Sequence, residues 1–454
     1  MRLSAVLHRS LATPPVLAVA GDGCYYLVDA QGRRYLDASG GAAVSSLGHS
    51  HAAVIAAIQQ QVAKLPYAHT SFFSNEPAER LAQMLVDGAP KGFGAGRVAF
   101  VGSGSEAMEV ALKLARQHFV ERSEPGRSHF IARRMSYHGN TLGALSVGGH
   151  FQRRAMYAPM LMPTTHVSPC HPYRFREPGE ADVAYGRRVA DELDAEILRV
   201  GPDRVAAFVA EPVVGATLGC VTAVDGYFAR IREICDRHGV LLIADEVMCG
   251  MGRTGPLFAI DHDRVCPDII TLGKGLGAGY MPIGATMASE RVMAPIEQRS
   301  GALANGHTYM SHPVACAAGV AVLACMADER LLDNVAAQGQ RLRSALEQRF
   351  GAHDNVGDIR GRGLFQALEL VEDRASKRPF GRERRIAERL RAIALHKGLL
   401  CYPSSGTADG ERGDHVLLAP PYIVEDRHVD EIVDKLDAAL SQLLEETQCV
   451  APVQ

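Results

Sequence analysis

The chain has 454 residues, 47% of them hydrophobic and 22% charged, and 48 Lys plus Arg stand against 51 Asp plus Glu for a net charge of -3. That length exceeds one ordinary core and calls for two or three domains. The near-neutral balance excludes the basic patch of a nucleic-acid binder, and no long acidic run marks a disordered tail. No stretch reaches the roughly 18 apolar residues of a membrane-spanning helix. The first 15 residues lack the apolar run and cleavage signal of a secretory leader. The 10 cysteines are scattered without a C-x-x-C pair, which predicts the reducing cytoplasm and no disulfide framework or zinc ribbon.

Short β-branched runs at 98–101, 129–132, 206–210, 240–244, 268–272 and 283–288 read as strands. Several are continuously apolar, as strands covered on both faces are, and helical spacing at 107–121 and 226–238 separates them. The prediction is an α/β fold with a mainly parallel sheet flanked by helices. Between them, the Pro/Gly-rich segment 169–179 reads as a surface connection. Charged amphipathic helices at 331–350, 384–396 and 429–446, with a strand at 364–371, predict an α+β lobe in the last third.

In open α/β sheets ligands bind beyond the carboxyl ends of the strands. Five such ends carry Gly102-Ser103-Gly104-Ser105-Glu106-Ala107, then Tyr137-His138-Gly139, Glu211-Pro212, Asp245-Glu246 and Gly273-Lys274-Gly275. The glycine loop followed by a helix suits an anion, because free N–H groups and the positive helix end point at it. It also fits the dinucleotide fingerprint. Arg133 and Arg134 after the next strand would then serve NADP, but Asp245 and Lys274 would be unemployed. A plain strand-to-helix turn is the third possibility. Gly275 stands where a Walker A loop needs Ser or Thr, so Lys274 is not a P-loop lysine. It is either a solvated lysine or a Schiff-base nucleophile. Asp245 leaves a buried strand, where a carboxylate needs a cation, an N-cap role or an arginine such as Arg253.

One cofactor employs the phosphate cup, the lysine, the carboxylate and a flat aromatic together: pyridoxal 5'-phosphate. In this order the motifs resemble the class III, or omega-, aminotransferases of PLP fold type I. The resemblance extends to Leu47-Gly48-His49, Gly250-x-Gly-Arg-Thr-Gly255, Thr308-Tyr309, Arg360-Gly361-x-Gly363 and Ala419-Pro420-Pro421, and so spans nearly the whole chain. It implies a large cofactor domain at 66–320 and a smaller domain built from 1–65 and 321–454. It implies that Lys274 carries the internal aldimine and shuttles the substrate proton, and that Asp245 keeps the pyridine nitrogen protonated. Ser103, Gly104, Ser105 and Gly139 would surround the phosphate. Tyr137 would stack on one ring face beside His138, and Val247 would pack on the other. Glu211 would lie near substrate and cofactor oxygen. Thr308 would reach the phosphate of a neighbouring subunit in a homodimer or tetramer with shared active sites. His49, His51, His138 and His312 belong to these turns, and no metal is assigned.

Two positions depart from relatives that use 2-oxoglutarate. Met248 replaces a Gln, and Leu417 replaces an arginine two residues before Ala-Pro-Pro. Leucine cannot make the bidentate contact of a guanidinium with a carboxylate. Arg412, in the loop 406–413, is the candidate replacement. Phe72 and Phe73 are candidates for the donor pocket or for ordinary core. The expected reaction moves an amino group from an ω-amino acid or amine to a 2-oxo acid, pyruvate rather than 2-oxoglutarate. An aminomutase or decarboxylase of the same fold is the alternative, and an NADP oxidoreductase or a cofactor-free assembly protein is remote.

Overall fold

The computed structural model describes residues 5–11 and 14–449. Its centre is a seven-stranded sheet in the order Arg97–Val101, Gly284–Ala288, Ile269–Leu272, Leu241–Asp245, Val205–Ala210, His129–Arg133, Thr164–Val167. Gly284–Ala288 runs antiparallel to both neighbours, and the other pairs are parallel. The central strands are buried throughout, which explains their unbroken apolar sequence. The period of two is still visible in where each residue packs. Val209, Leu241, Ile243 and Ile269 join the cluster of helix Gly104–Glu121 on one face. Phe208, Leu242 and Ile270 join that of helices Asp182–Val200 and Tyr227–His238 on the other.

The expected strands and helices therefore form close to their expected limits. The first helix starts earlier, at Gly104, because Ser103 caps it: the Ser103 hydroxyl accepts from Glu106 N at 3.2 Å, and Glu106 Oε2 accepts from Gly102 N at 2.7 Å. This reciprocal cap holds the glycine loop at the sheet edge.

The two ends of the chain meet. Strands Ala18–Asp22, Tyr26–Asp29 and Arg34–Asp37 form a sheet whose last member pairs in parallel with Leu399–Leu400. A second four-stranded sheet of Val356–Arg362, Phe365–Leu370, Asp414–Leu418 and Tyr402–Ser405 packs beneath helices Leu331–Phe350 and Ile386–His396. No helix among the described residues is long and apolar enough to cross a membrane.

One expectation holds only in part. Residues 175–179 of the segment 169–179 are exposed, but Cys170 and His171 are buried, and Pro172–Phe175 forms one helical turn. The cause is electrostatic. Arg174 Nε donates to Glu369 Oε1 at 2.6 Å, and Arg360 Nη1 meets Glu369 Oε2 at 2.6 Å. Burial alone would raise the Glu369 pKa, but the two guanidiniums outweigh it and hold the carboxyl below its ordinary value. The first part of the segment is drawn inward by an ion triad that composition does not reveal.

Breaking one member of such a buried group leaves charge unbalanced. Glu369→Gln is expected to lower stability by about 3–5 kcal/mol, seen as a clear fall in the thermal unfolding midpoint; a variant that melts with the parent contradicts this role.

Candidate active site

At the carboxyl edge of the large sheet lies a cavity of about 170 Å³ lined by Ser103, Gly104, Ser105, Tyr137, His138, Gly139, Glu211, Ala216, Asp245, Val247, Met248 and Lys274. All but two of these are site residues expected from the sequence. Met248 stands out there only as a departure from relatives, and Ala216 carries no motif at all.

The glycine loop reaches the cavity because glycine removes atoms where chains cross. A Cβ on Gly104 would stand 2.6 Å from Val247 Cγ1, and one on Gly284 would stand 2.3 Å from Ser103 O. Gly139 has φ +137°, a conformation that favours glycine, and a Cβ there would stand 2.7 Å from Ser105 Oγ. Ser105 Oγ accepts from Asn140 N at 3.0 Å, tying the loop to the turn that carries Tyr137. The result is a small concavity at the positive end of an 18-residue helix, suited to a phosphate.

Asp245 and Glu246 are adjacent but diverge. Glu246 turns into the core and accepts from Ala259 N and Ile260 N, each at 2.8 Å; burial pushes its pKa up to about 8. Asp245 faces the cavity. Its Oδ2 accepts from His138 Nδ1 at 2.7 Å, and its Oδ1 accepts from Val247 N at 3.0 Å and Thr271 Oγ1 at 3.2 Å. His138 is buried, and its Nε2 has no partner. Arg253 does not neutralise Asp245; its guanidinium donates to the carbonyls of Leu364 and Pro420.

Lys274 opens the short turn Lys274–Leu276 after strand Ile269–Leu272, with φ +40°. Such backbone is strained for a residue with a Cβ and marks functional sites. The side chain makes no hydrogen bond or ion pair with another described residue. Burial lowers its pKa, and the carboxylates of Asp245 and Glu211 oppose that fall. A surface lysine would show neither feature. Glu211 is buried and accepts from Tyr137 N at 3.0 Å and Gly215 N at 3.2 Å; burial raises its pKa, chiefly opposed by His138.

The groups present fit pyridoxal 5'-phosphate on three counts: an anion cradle that side chains would fill, a buried carboxylate without a fixed cation, and a lysine depressed toward neutrality. They do not fit NADP. Of the two arginines that would have met the 2'-phosphate, Arg133 is buried, donates to the Glu211 carbonyl and lies against the Tyr227 and Phe228 rings, and Arg134 is exposed and donates to the His166 carbonyl at 3.2 Å.

Four expected residues are not in this cavity. Phe72 and Phe73 are 80% and 67% exposed, so the core reading of them is excluded. Thr308 is also exposed, and its carbonyl accepts from Tyr67 Oη at 2.8 Å. Arg412 is exposed and paired with Asp409, Nε to Oδ2 at 2.7 Å. One further residue escapes sequence reasoning. Arg153, in the short helix Phe151–Ala155, places its guanidinium carbon 4.7 Å from the Tyr137 ring centre. No motif surrounds it, so the sequence offers no signal.

Residues 7–440 match the family model described as Aminotransferase class-III. An uncharacterized aminotransferase of Schizosaccharomyces pombe is 47% identical over 94% of this chain and 93% of its own length. A taurine–pyruvate aminotransferase of Bilophila wadsworthia is 33% identical over 94% and 92%. Among solved structures, a thermostable omega transaminase from Pseudomonas jessenii superposes with TM-score 0.87 at 35% identity, covering 94% of this chain and 93% of that one. A PLP-bound aminotransferase from Vibrio fluvialis superposes with TM-score 0.88 at 33% identity, covering 95% and 93%. The chain thus belongs to the class-III aminotransferases, pyridoxal-phosphate-dependent enzymes of fold type I.

Proposed function

We propose that this enzyme moves an amino group from an ω-amino acid or amine to a 2-oxo acid, and that its acceptor is pyruvate rather than 2-oxoglutarate. The observation that carries the acceptor choice is the wall beside the cavity. Met248 and Leu417 share one buried apolar cluster with Val213, Ala216, Phe365 and Ala419. A second carboxylate pressed against that wall would be desolvated without a cation, at a cost of several kcal/mol. Pyruvate has no second carboxylate. The pyruvate-using relative of Bilophila wadsworthia supports the same reading.

Pyridoxal 5'-phosphate supplies an aldehyde that captures amines and a ring that takes up the electron pair left when a Cα–H bond breaks. The residues of this chain would do the rest. Gly104, Ser105 and Gly139 bind the phosphate at the helix start. Ser103 acts one step back, as the cap that shapes the loop. Asp245, oriented by His138, would hold a proton at the ring nitrogen. Tyr137 and Val247 would pack against the ring, and Glu211 fixes the Tyr137 backbone. Lys274 is the covalent anchor. Burial lowers its pKa, and its amine would be the group that moves the proton from substrate Cα.

We propose further that the enzyme works as a homodimer, with Thr308 of each copy completing the phosphate site of the other. The exposed aromatics Phe72, Phe73 and Tyr309 support this, since rings this exposed are costly on a monomer surface. Sedimentation equilibrium should give twice the chain mass; a fully active monomer contradicts the shared site.

The reaction is tested by half-transamination of the amine-loaded enzyme. The second-order rate with pyruvate should exceed that with 2-oxoglutarate by at least about tenfold, a margin that one desolvated carboxylate readily supplies. A faster rate with 2-oxoglutarate contradicts the acceptor assignment. Release of carbon dioxide, or turnover without any acceptor, would indicate the decarboxylase or aminomutase instead.

A further inference from the structure

A 2-oxo acid still brings one carboxylate into the site, and the residues so far described offer it no cation. Leu417 is fully buried and apolar. Arg412 is exposed and pairs with Asp409. The buried arginines around the cavity are committed as well. Arg133 and Arg253 donate to backbone carbonyls. Arg360 serves the carbonyls of Leu218 and Gly219 and the carboxylates of Asp358 and Glu369.

Arg153 is different. It is half-buried, and it makes no hydrogen bond or ion pair with another described residue. Its position is fixed from below. Met135 N donates to Gly149 O at 2.9 Å and Gly149 N donates to Ser136 O at 3.1 Å, so the chain entering helix Phe151–Ala155 is stapled to the turn that carries Tyr137. A Cβ on Gly149 would stand 2.0 Å from Arg133 O, so this close approach depends on glycine. From there the guanidinium lies over the Tyr137 ring, 4.7 Å from its centre. Its charge is also felt at Lys274, where it helps depress the amine. An arginine that faces a ring, carries no counter-ion and lies within electrostatic reach of the reactive lysine is a carboxylate receptor in waiting.

We infer that Arg153 binds the carboxylate of the 2-oxo acid acceptor, presenting its planar fork from the Tyr137 side of the cavity. The inference rests on the transaminase reading above and adds the residue that selects an anionic acceptor. It makes Tyr137 a platform with two uses: one for the cofactor ring, the other for the guanidinium, whose stacking leaves its N–H edges free for the anion.

The test uses holoenzyme and three probes: pyruvate, butanal as an uncharged acceptor, and acetate as a non-reacting carboxylate followed through the cofactor absorbance. Arg153→Met should raise the KM for pyruvate and the Kd for acetate about 10- to 100-fold, the range expected for loss of a charge-assisted bidentate contact. The KM for butanal should stay within about twofold, since that acceptor never used the charge. Arg153→Lys keeps the charge but not the fork and should fall between; it also serves if the Met variant does not fold. An unchanged pyruvate KM and acetate Kd overturns the inference. Equal losses with pyruvate and butanal overturn it too, because they would show that Arg153 only positions Tyr137. A parent enzyme that transfers amino groups to no acceptor would overturn the transaminase reading itself, a failure distinct from that of Arg153.

Discussion

The structure is organised around one uncomfortable charge: the Asp245 carboxylate at the end of a strand buried on both faces. A carboxylate so placed is costly unless it is bonded and paired. The fold supplies the bonds, from His138, Val247 N and Thr271. It supplies no fixed cation. On the proposed reading a protonated ring nitrogen would be its partner, and Lys274, Tyr137 and the glycine loop line the same cavity. Glu246, one residue on, shows how the same strand end treats a carboxylate with no ligand to meet. It is turned inward, given two backbone donors, and pushed by burial toward its neutral form.

The remaining architecture keeps that edge narrow. Parallel strands bring successive loops to one side of the sheet, and the antiparallel strand Gly284–Ala288 begins there too. Four chain segments then cross within a few ångströms, which is why Gly104, Gly139, Gly149 and Gly284 cannot carry a side chain without displacing a neighbour. The second lobe, joined through Arg34–Asp37 and Leu399–Leu400, contributes the apolar wall of Phe365, Leu417 and Ala419. On the reading proposed here, that wall would limit the acceptor, and Arg153, beside the Tyr137 ring, would bind its carboxylate.

Much of this is legible in the sequence because its cause is local. Continuous apolar runs at 206–210 and 240–244 fit doubly covered strands, and the residues just after each such strand gather at one edge of the sheet. Most of the cavity residues emerge in that way, though Ala216 and Met248 do not. Other features depend on partners distant in sequence. The first part of segment 169–179 looks like a surface loop until Glu369, nearly two hundred residues later, draws Arg174 inward. Arg412 looks available until Asp409 is seen to hold it. Phe72 and Phe73 fit the donor pocket or the core equally well in the sequence, and in the structure both are exposed. Arg153 has no motif at all; its meaning comes from the stapling of Gly149 to residues 135 and 136.

The central claim is that Lys274, among all lysines of the chain, is the covalent anchor of the cofactor. Borohydride reduction of the holoenzyme followed by peptide mapping tests it directly. One pyridoxyl adduct is expected, on the peptide containing Lys274, with loss of the visible absorbance. An adduct on another lysine, or reduction that leaves the cofactor freely dialysable, would contradict it.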